Sequence, residues 1–182
     1  MIQMKSIKIN SYAKVNIGLK ILNKRSDGYH NISTVFQEID LFDSITISKF
    51  NGPLKFSSNV DWLQNDQNNL CVIAYNHIKN LYKIGGANIV LKKNISRGSG
   101  LGSGSSNAAT IMKGLREIYN LKVTDNELIK IGSRIGADVP FFINGFTQVG
   151  EGFGEKLTII NSSMDAQYLI VTPDISIDTK WA

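Results

Sequence analysis

Cysteine and histidine are scarce in this chain of 182 residues, which contains one cysteine, Cys71, and two histidines, His30 and His77. A single cysteine excludes an internal disulfide, and three such residues are too few for a zinc cluster held by cysteine and histidine. We therefore expect no metal site of that kind.

Long apolar runs are also missing. No segment approaches the length of a membrane span, and the N-terminal MIQMKSIKINSY lacks the basic, apolar and small-residue order of a signal peptide. We therefore expect a cytoplasmic protein with no membrane partner. The length and the apolar fraction of 42% predict about one ordinary domain with a sizeable core.

No concentrated patch of one charge stands out, because the 20 basic and 15 acidic residues, net +5, are scattered along the chain. Nucleic-acid binding favours a clustered basic surface, so we predict no nucleic-acid partner. The mild positive excess fits an anionic small substrate, and it fits a merely solvated surface better still. The net charge alone therefore does not identify a function.

The periodicity of apolar residues predicts the elements in order. Strands are predicted over 6–22 and 34–48, joined by the turn-rich 23–31, and then over 87–93, 146–160 and 167–173. Helices are predicted over 68–85, 105–121 and 125–135, and Pro140 interrupts the segment 136–145, which we assign to a loop. This order indicates an α+β domain, a mostly antiparallel sheet with helices on one face.

Local signals refine two of these helices. Gly85 and Gly86 provide a stop signal for the first helix, whose apolar face includes His77 as a packed core histidine rather than a ligand. Thr124 and Glu127 have the spacing of a capping box and start the third helix.

Glycine is concentrated in one stretch, GSGLGSGSSNAAT at 98–110, directly before the second helix. Alternating glycines suit positive φ angles or a close approach to another group, and a helix N-terminus attracts phosphate. Ser105 and Ser106 could cap the helix, bond a phosphate oxygen or hold Mg²⁺; a flexible loop with Ser105 as a plain N-cap is the alternative. The stretch fits neither the P-loop pattern nor G-x-G-x-x-G.

The same stretch resembles the phosphate loop of the GHMP kinases. Three further motifs, AKVN at 13–16, DGYH at 27–30 and GADVPFF at 136–142, extend the resemblance over nearly the whole chain. Together they are similar to the members that phosphorylate the 2-hydroxyl of a cytidine-diphosphate methylerythritol in isoprenoid precursor biosynthesis. The resemblance implies a ribosomal protein S5 domain 2-like fold, with ATP and Mg²⁺ as cofactors.

The resemblance also implies roles for particular residues. Lys14 and Asp138 are expected to form the catalytic pair, although Lys14 alone could be a solvated strand lysine and Asp138 alone a loop or cap residue. Ser106 is the expected metal ligand. The residues expected to bind the ATP phosphates are Gly98, Gly100, Leu101, Gly102, Ser103, Gly104, Ser105 and Ser106. The residues expected to bind substrate are Asn16, Tyr29, His30 and Phe36, with a loop aromatic covering the core as the alternative for Tyr29.

Two departures from the family pattern qualify these expectations. Ser99 and Ser103 stand where the phosphate loop usually has glycine. GHMP kinases also place a ferredoxin-like domain after the region near 182, so we expect 1–182 to be the N-terminal ATP-binding and catalytic domain without that second domain.

The alternatives to this function are an inactive or nucleotide-binding fragment and another GHMP kinase, such as homoserine or mevalonate kinase. An exposed inter-domain face predicts possible self-association.

Overall fold

The computed structural model describes residues 6–26, 28, 30–63, 66, 68–161 and 166–171. Its strands are β1 (Ser6–Lys24), β2 (His30–Phe50), β3 (Lys55–Ser58), β4 (Gly86–Lys92), β5 (Thr147–Gly152) and β6 (Lys156–Ile159). Its helices are α1 (Leu70–Tyr82), α2 (Ser103–Tyr119), α3 (Asp125–Gly132) and α4 (Val139–Asn144), with a short 3₁₀ turn at Asp61–Leu63. None of these helices is long and apolar enough to cross a membrane.

The sheet is organised around β2. The strands follow the order β3-β4-β2-β5-β6, and β1 pairs with β2. The first part of β2 pairs with β5 over 32–37, and its last part pairs with β4 over 44–50. Every pairing is antiparallel except that of β3 with β4, which is parallel. The predicted α+β domain with a mostly antiparallel sheet is therefore confirmed.

The core lies between this sheet and α2. The buried side chains of Ile45 and Ile47 on β2 and of Ile89 and Leu91 on β4 belong to one cluster with the apolar face of α2. Gly114 allows the close approach of helix and sheet, because a Cβ atom there would lie 2.5 Å from Ile47 Cδ1. Burial of this apolar surface is the main stabilising term of the domain.

The structure corrects two details of α1. The helix ends at Tyr82, where Lys83 adopts a left-handed conformation with φ 53°, so Gly85 and Gly86 do not stop it and Gly86 begins β4. The buried face of α1 contains Cys71, Ala74, Tyr75 and Ile78. His77 lies at the edge of that face and is only half-buried, so the prediction of a core histidine was wrong.

The segment predicted as a loop over 136–145 contains the helix α4. Pro140 occupies the second helical position, where its missing N–H removes no intrahelical hydrogen bond. The capping box of α3 is confirmed, since Glu127 N donates to Thr124 Oγ1 and Thr124 N donates to Glu127 Oε2. That helix ends at Gly132 rather than at 135.

The C-terminal strands also differ from the prediction. The segment 146–160 forms two strands, β5 and β6, because Gly152 and Gly154 adopt positive φ angles in the hairpin turn between them. Residues 167–171 form no strand, and 172 and 173 lie outside the described residues. Strand β3 had no counterpart in the prediction.

Candidate functional site

The glycine-rich segment forms a loop from β4 to the start of α2. Gly98, Gly100 and Gly102 have φ angles of 70°, 72° and 70°. Residues with a side chain rarely adopt this left-handed conformation, which explains the alternating glycines. Together with Ser96 and Leu70, residues 98–105 line an open pocket over the helix N-terminus.

Helix α2 begins at this pocket without a side-chain cap. Gly102 is its N-cap residue, and within the described part of the chain no side chain accepts a capping hydrogen bond there. The first N–H groups of a helix lack intrahelical partners and carry partial positive charge, so they form a site for an anion. Ser105 lies inside the helix and lines the pocket, so the alternative of a plain N-cap at Ser105 was wrong.

Ser106 occupies a different environment from Ser105. Its side chain is buried, and its Oγ lies 2.8 Å from the Oγ of Ser11 on β1. The hydroxyl is thus engaged between α2 and the sheet, whereas Ser103 and Ser105 line the pocket. Among the described residues, no three histidine, cysteine, aspartate or glutamate side chains gather as a metal cluster.

Lys14 and Asp138 lie next to this pocket and form an ion pair. Lys14 Nζ is 3.9 Å from Asp138 Oδ2; the lysine side chain is 8% exposed and the aspartate 37%. Burial lowers the pKa of Lys14, and the neighbouring Asp138 opposes that change. The backbone N–H of Lys14 donates to the carbonyl of Leu101 at 3.0 Å, so the strand that carries the lysine is bonded to the glycine-rich loop.

A chain of hydrogen bonds holds the Lys14 ammonium. Lys14 Nζ donates to Asn16 Oδ1 at 2.6 Å, and Asn16 Nδ2 donates to Thr34 Oγ1 at 3.0 Å. Thr34 Oγ1 in turn donates to the carbonyl of Gly18 at 2.8 Å. Asn16 therefore lies beside the pair, and its expected contact with substrate stays a prediction; Thr34 is a buried polar residue that the sequence analysis missed. The sequence could have indicated Thr34 because this threonine lies on the predicted strand next to the one that carries the motif AKVN.

The other candidate substrate residues are spread along β2. Phe36 is 3% exposed, and its ring centroid is 5.3 Å from Lys14 Nζ and 5.3 Å from the ring of Phe141. His30 is exposed at the first position of β2, six residues and thus about 20 Å along the strand from Phe36. Tyr29 lies outside the described residues.

A second pocket adjoins the glycine-rich loop and was not predicted. Its wall includes Trp62, and the Arg97 guanidinium lies 4.9 Å from that ring centroid. The pocket shares Gly98, Ser103 and Gly104 with the loop. The buried Lys93 also lines this pocket and contacts Ser103, a link that no local spacing in the sequence indicates.

Comparison with known sequences gives consistent matches. The family model for the GHMP kinases N terminal domain matches residues 69–146. The proteins of Clostridium beijerinckii (41% identical) and Acetivibrio thermocellus (38% identical), both named 4-diphosphocytidyl-2-C-methyl-D-erythritol kinase, align with 96% and 98% of this chain. The chain covers 62% and 63% of these two relatives, which is less than two thirds of their length.

Comparison with solved structures confirms the predicted fold. A crystal structure of 4-(cytidine 5'-diphospho)-2C-methyl-D-erythritol kinase matches with a TM-score of 0.74 and 33% identity, covering 85% of this chain and 55% of that one. The mevalonate kinase of Methanococcus jannaschii matches with a TM-score of 0.65 at 18% identity, over 87% of this chain and 56% of that one. The second likeness concerns the fold alone.

Proposed function

Because its sequence and its fold match those of GHMP kinases, we propose that the chain forms the ATP-binding and catalytic part of a 4-diphosphocytidyl-2-C-methyl-D-erythritol kinase. The reaction is transfer of a phosphoryl group from ATP to the 2-hydroxyl of that cytidine-diphosphate alcohol. When bound, ATP with Mg²⁺ supplies the phosphoryl group, and the metal neutralises part of its charge.

The observation that carries this proposal is the contact between the Lys14–Asp138 pair and the glycine-rich loop. A Cβ atom added at Gly102 would lie 3.2 Å from Lys14 Cε, so the loop backbone and the lysine side chain are immediate neighbours. A phosphoryl group held by the loop would therefore be close to both an ammonium and a carboxylate. This is the combination that phosphoryl transfer to an alcohol requires.

The two side chains have complementary roles in this proposal. Asp138 orients the 2-hydroxyl and accepts its proton as the oxygen attacks. Lys14 stabilises negative charge on the attacking oxygen and on the transferring group. The chain from Lys14 through Asn16 to Thr34 holds the ammonium in place, which limits the reorganisation needed during the reaction.

The chemistry of the pocket fits phosphate and Mg²⁺. The uncapped first turn of α2 and the backbone of Gly98, Gly100, Leu101, Gly102, Ser103 and Gly104 would hold the phosphates, together with the hydroxyl of Ser105. Mg²⁺ needs few protein ligands because phosphates and water supply the others. The resemblance implied Ser106 as the Mg²⁺ ligand. Because the Ser106 hydroxyl is hydrogen-bonded to Ser11, we propose Ser105 as the Mg²⁺ ligand in preference to Ser106.

Substrate and nucleoside are proposed to extend in different directions from the loop. The pocket beside Trp62 and Arg97 offers an aromatic and a cationic group for the nucleoside of ATP. His30 and Tyr29 remain our candidates for the cytosine, and the position of His30 along β2 suits an elongated substrate. Phe36 would support Lys14 from the core rather than stack on a base.

The direct test is ATP-dependent phosphorylation of 4-diphosphocytidyl-2-C-methyl-D-erythritol, followed by ³¹P NMR. The kinase of Clostridium beijerinckii serves as the positive control for the assay, and mevalonate and homoserine are offered in parallel. We expect phosphorylation of the cytidine-diphosphate substrate only. Asp138→Asn, which keeps the shape but removes the base, is expected to lower kcat by about 10²–10⁴-fold.

Other outcomes would replace the proposal by one of its alternatives. Turnover of mevalonate or homoserine instead would indicate another GHMP kinase. Binding of a non-hydrolysable ATP analogue without any turnover would indicate a nucleotide-binding unit. An Asp138→Asn variant as active as the parent chain would contradict the role given to this carboxylate.

A further inference from the structure

A buried ion pair outside the Lys14–Asp138 site connects the sheet with the start of α2. Lys93 follows β4, and Asp43 lies within β2; their side chains are 4% and 0% exposed. Lys93 Nζ donates to Asp43 Oδ2 at 2.5 Å. A charge pair this deeply buried is costly unless its remaining hydrogen-bonding groups are also satisfied.

The carboxylate of Asp43 is fully engaged by its own surroundings. One oxygen accepts from the backbone N–H groups of Asn94 and Ile95 at 2.7 and 3.0 Å. The other accepts from Lys93 and from Asn107 Nδ2, the latter at 3.0 Å. Asp43 therefore fixes the chain directly after β4 and reaches α2 through Asn107.

The ammonium of Lys93 is equally engaged. Besides Asp43, it donates to Ser103 Oγ at 2.9 Å and to Asn107 Oδ1 at 3.3 Å. A lysine ammonium has three N–H donors, so Lys93 has a partner for each of them. This favours a role in holding protein groups over a role as a direct ligand of substrate.

Ser103 is the point where this network meets the two pockets. It is the first residue of α2, directly after the left-handed Gly102, and it lines both the phosphate-loop pocket and the pocket beside Trp62. Its hydroxyl is bonded to a cation that is anchored to β2. The first turn of the helix is thus fixed to the sheet from its inner side.

We propose that Ser103 is a positioning residue, through which Lys93 and Asp43 hold the first turn of α2 in the conformation that binds the nucleotide phosphates. The proposal deepens the function proposed above and rests on it, because the nucleotide in question is ATP. Lys93 and Asp43 act through Ser103 and do not touch the reacting atoms.

The test is Ser103→Ala, which removes the acceptor for Lys93 without adding bulk. Titration calorimetry with a non-hydrolysable ATP analogue is expected to give about tenfold weaker binding, the factor for losing one hydrogen bond from a charged donor. In turnover assays the KM for ATP rises by a similar factor, while kcat and the KM for the alcohol change little. Ser103→Thr, which keeps the hydroxyl, is expected to restore binding, and Ser57→Ala on the exposed face of β3 serves as the control.

A second readout does not depend on nucleotide. The Ser106 N–H donates to the carbonyl of Gly102 at 2.9 Å, so its hydrogen exchange in the free protein reports opening of the first turn. We expect exchange at Ser106 to accelerate about fivefold or more in Ser103→Ala and to stay near the parent rate in Ser103→Thr.

The results separate this inference from the proposed function. ATP binding by Ser103→Ala equal to that of the parent chain would overturn the inference, and so would equal weakening by Ser103→Ala and Ser103→Thr. If the parent chain binds no ATP, the proposed function fails. Faster hydrogen exchange at Ser106 in Ser103→Ala would still support the anchoring of the first turn of α2 by Lys93 through Ser103. Unchanged exchange at Ser106 would refute that anchoring.

Discussion

At the scale of the residue, the position of the Lys14 ammonium depends on Thr34. Thr34 is 3% exposed, accepts from Asn16 and donates to Gly18, so it fixes the amide that accepts from Lys14. Thr34→Val keeps the shape and removes both hydrogen bonds. We expect kcat to fall about tenfold with a small change in the KM for ATP, together with a stability loss of about 1–2 kcal/mol.

Turnover kinetics and urea unfolding check this prediction, with Thr46→Val on the same strand as the matched control. Because Thr46 lies outside the site, its substitution should leave kcat unchanged. A Thr34→Val enzyme with the parent kcat would show that Asn16 holds the lysine without help.

At the scale of the element, two glycines of the glycine-rich loop allow two effects of an added side chain to be measured separately. One effect is the backbone strain of a left-handed conformation, and the other is a steric clash with neighbouring side chains. Gly100 and Gly102 have nearly equal φ angles, 72° and 70°. A Cβ atom at Gly100 would have none of the described atoms within 4 Å, whereas one at Gly102 would lie 2.9 Å from Phe142 and 3.2 Å from Lys14. Alanine at either position therefore incurs the same left-handed strain, and only Gly102→Ala also displaces neighbours.

We expect Gly100→Ala to lower the free energy of unfolding by about 1–2 kcal/mol, and Gly102→Ala to lower it by about 1–3 kcal/mol more. Urea unfolding of the two variants measures the difference. Equal losses would mean that the loop shifts away from Phe142 and Lys14 at little cost.

The elements differ in how far their sequence could predict them. Strands β1 and β2 and helix α2 have regular apolar periods, and the capping box of α3 is a local signal, so these were predicted correctly. Helix α4 was not predicted, because Pro140 was interpreted as a breaker although the first helical turn tolerates it. The hairpin of β5 and β6 was predicted as one strand, since alternation of apolar residues does not reveal the positive φ of Gly152.

At the scale of the whole molecule, the candidate site is assembled from segments far apart in the chain. Lys14, the loop at 98–105 and Asp138 come together because β1 bonds to the loop and α2 packs against both β1 and α4. The motifs and their resemblance to the GHMP kinases predicted these members. The pair of Lys93 with Asp43 joins residues 50 positions apart, and neither residue belongs to a recognisable motif, so only the folded chain reveals it.

The buried charge of Lys14 is also a cost to the fold as a whole. Burial lowers its pKa below 10.5, so between its folded and unfolded pKa values the unfolded chain binds more protons. Stability therefore rises with pH through that window, and the full cost of the charge is present at pH values below it. Lys14→Met removes this buried charge, so we expect the variant to be more stable than the parent chain at pH 7 and to lose catalysis.

Urea unfolding of both proteins from pH 7 to pH 10.5 checks this prediction, because the difference between them cancels the titration of the other groups. The advantage of Lys14→Met should shrink as pH rises, since the folded parent chain then loses the proton from Lys14. If the gain in the free energy of unfolding stays constant with pH, the gain comes from packing of the methionine rather than from removal of the charge. A variant less stable than the parent at pH 7 would mean that the contacts of Lys14 with Asn16 and Asp138 outweigh its desolvation.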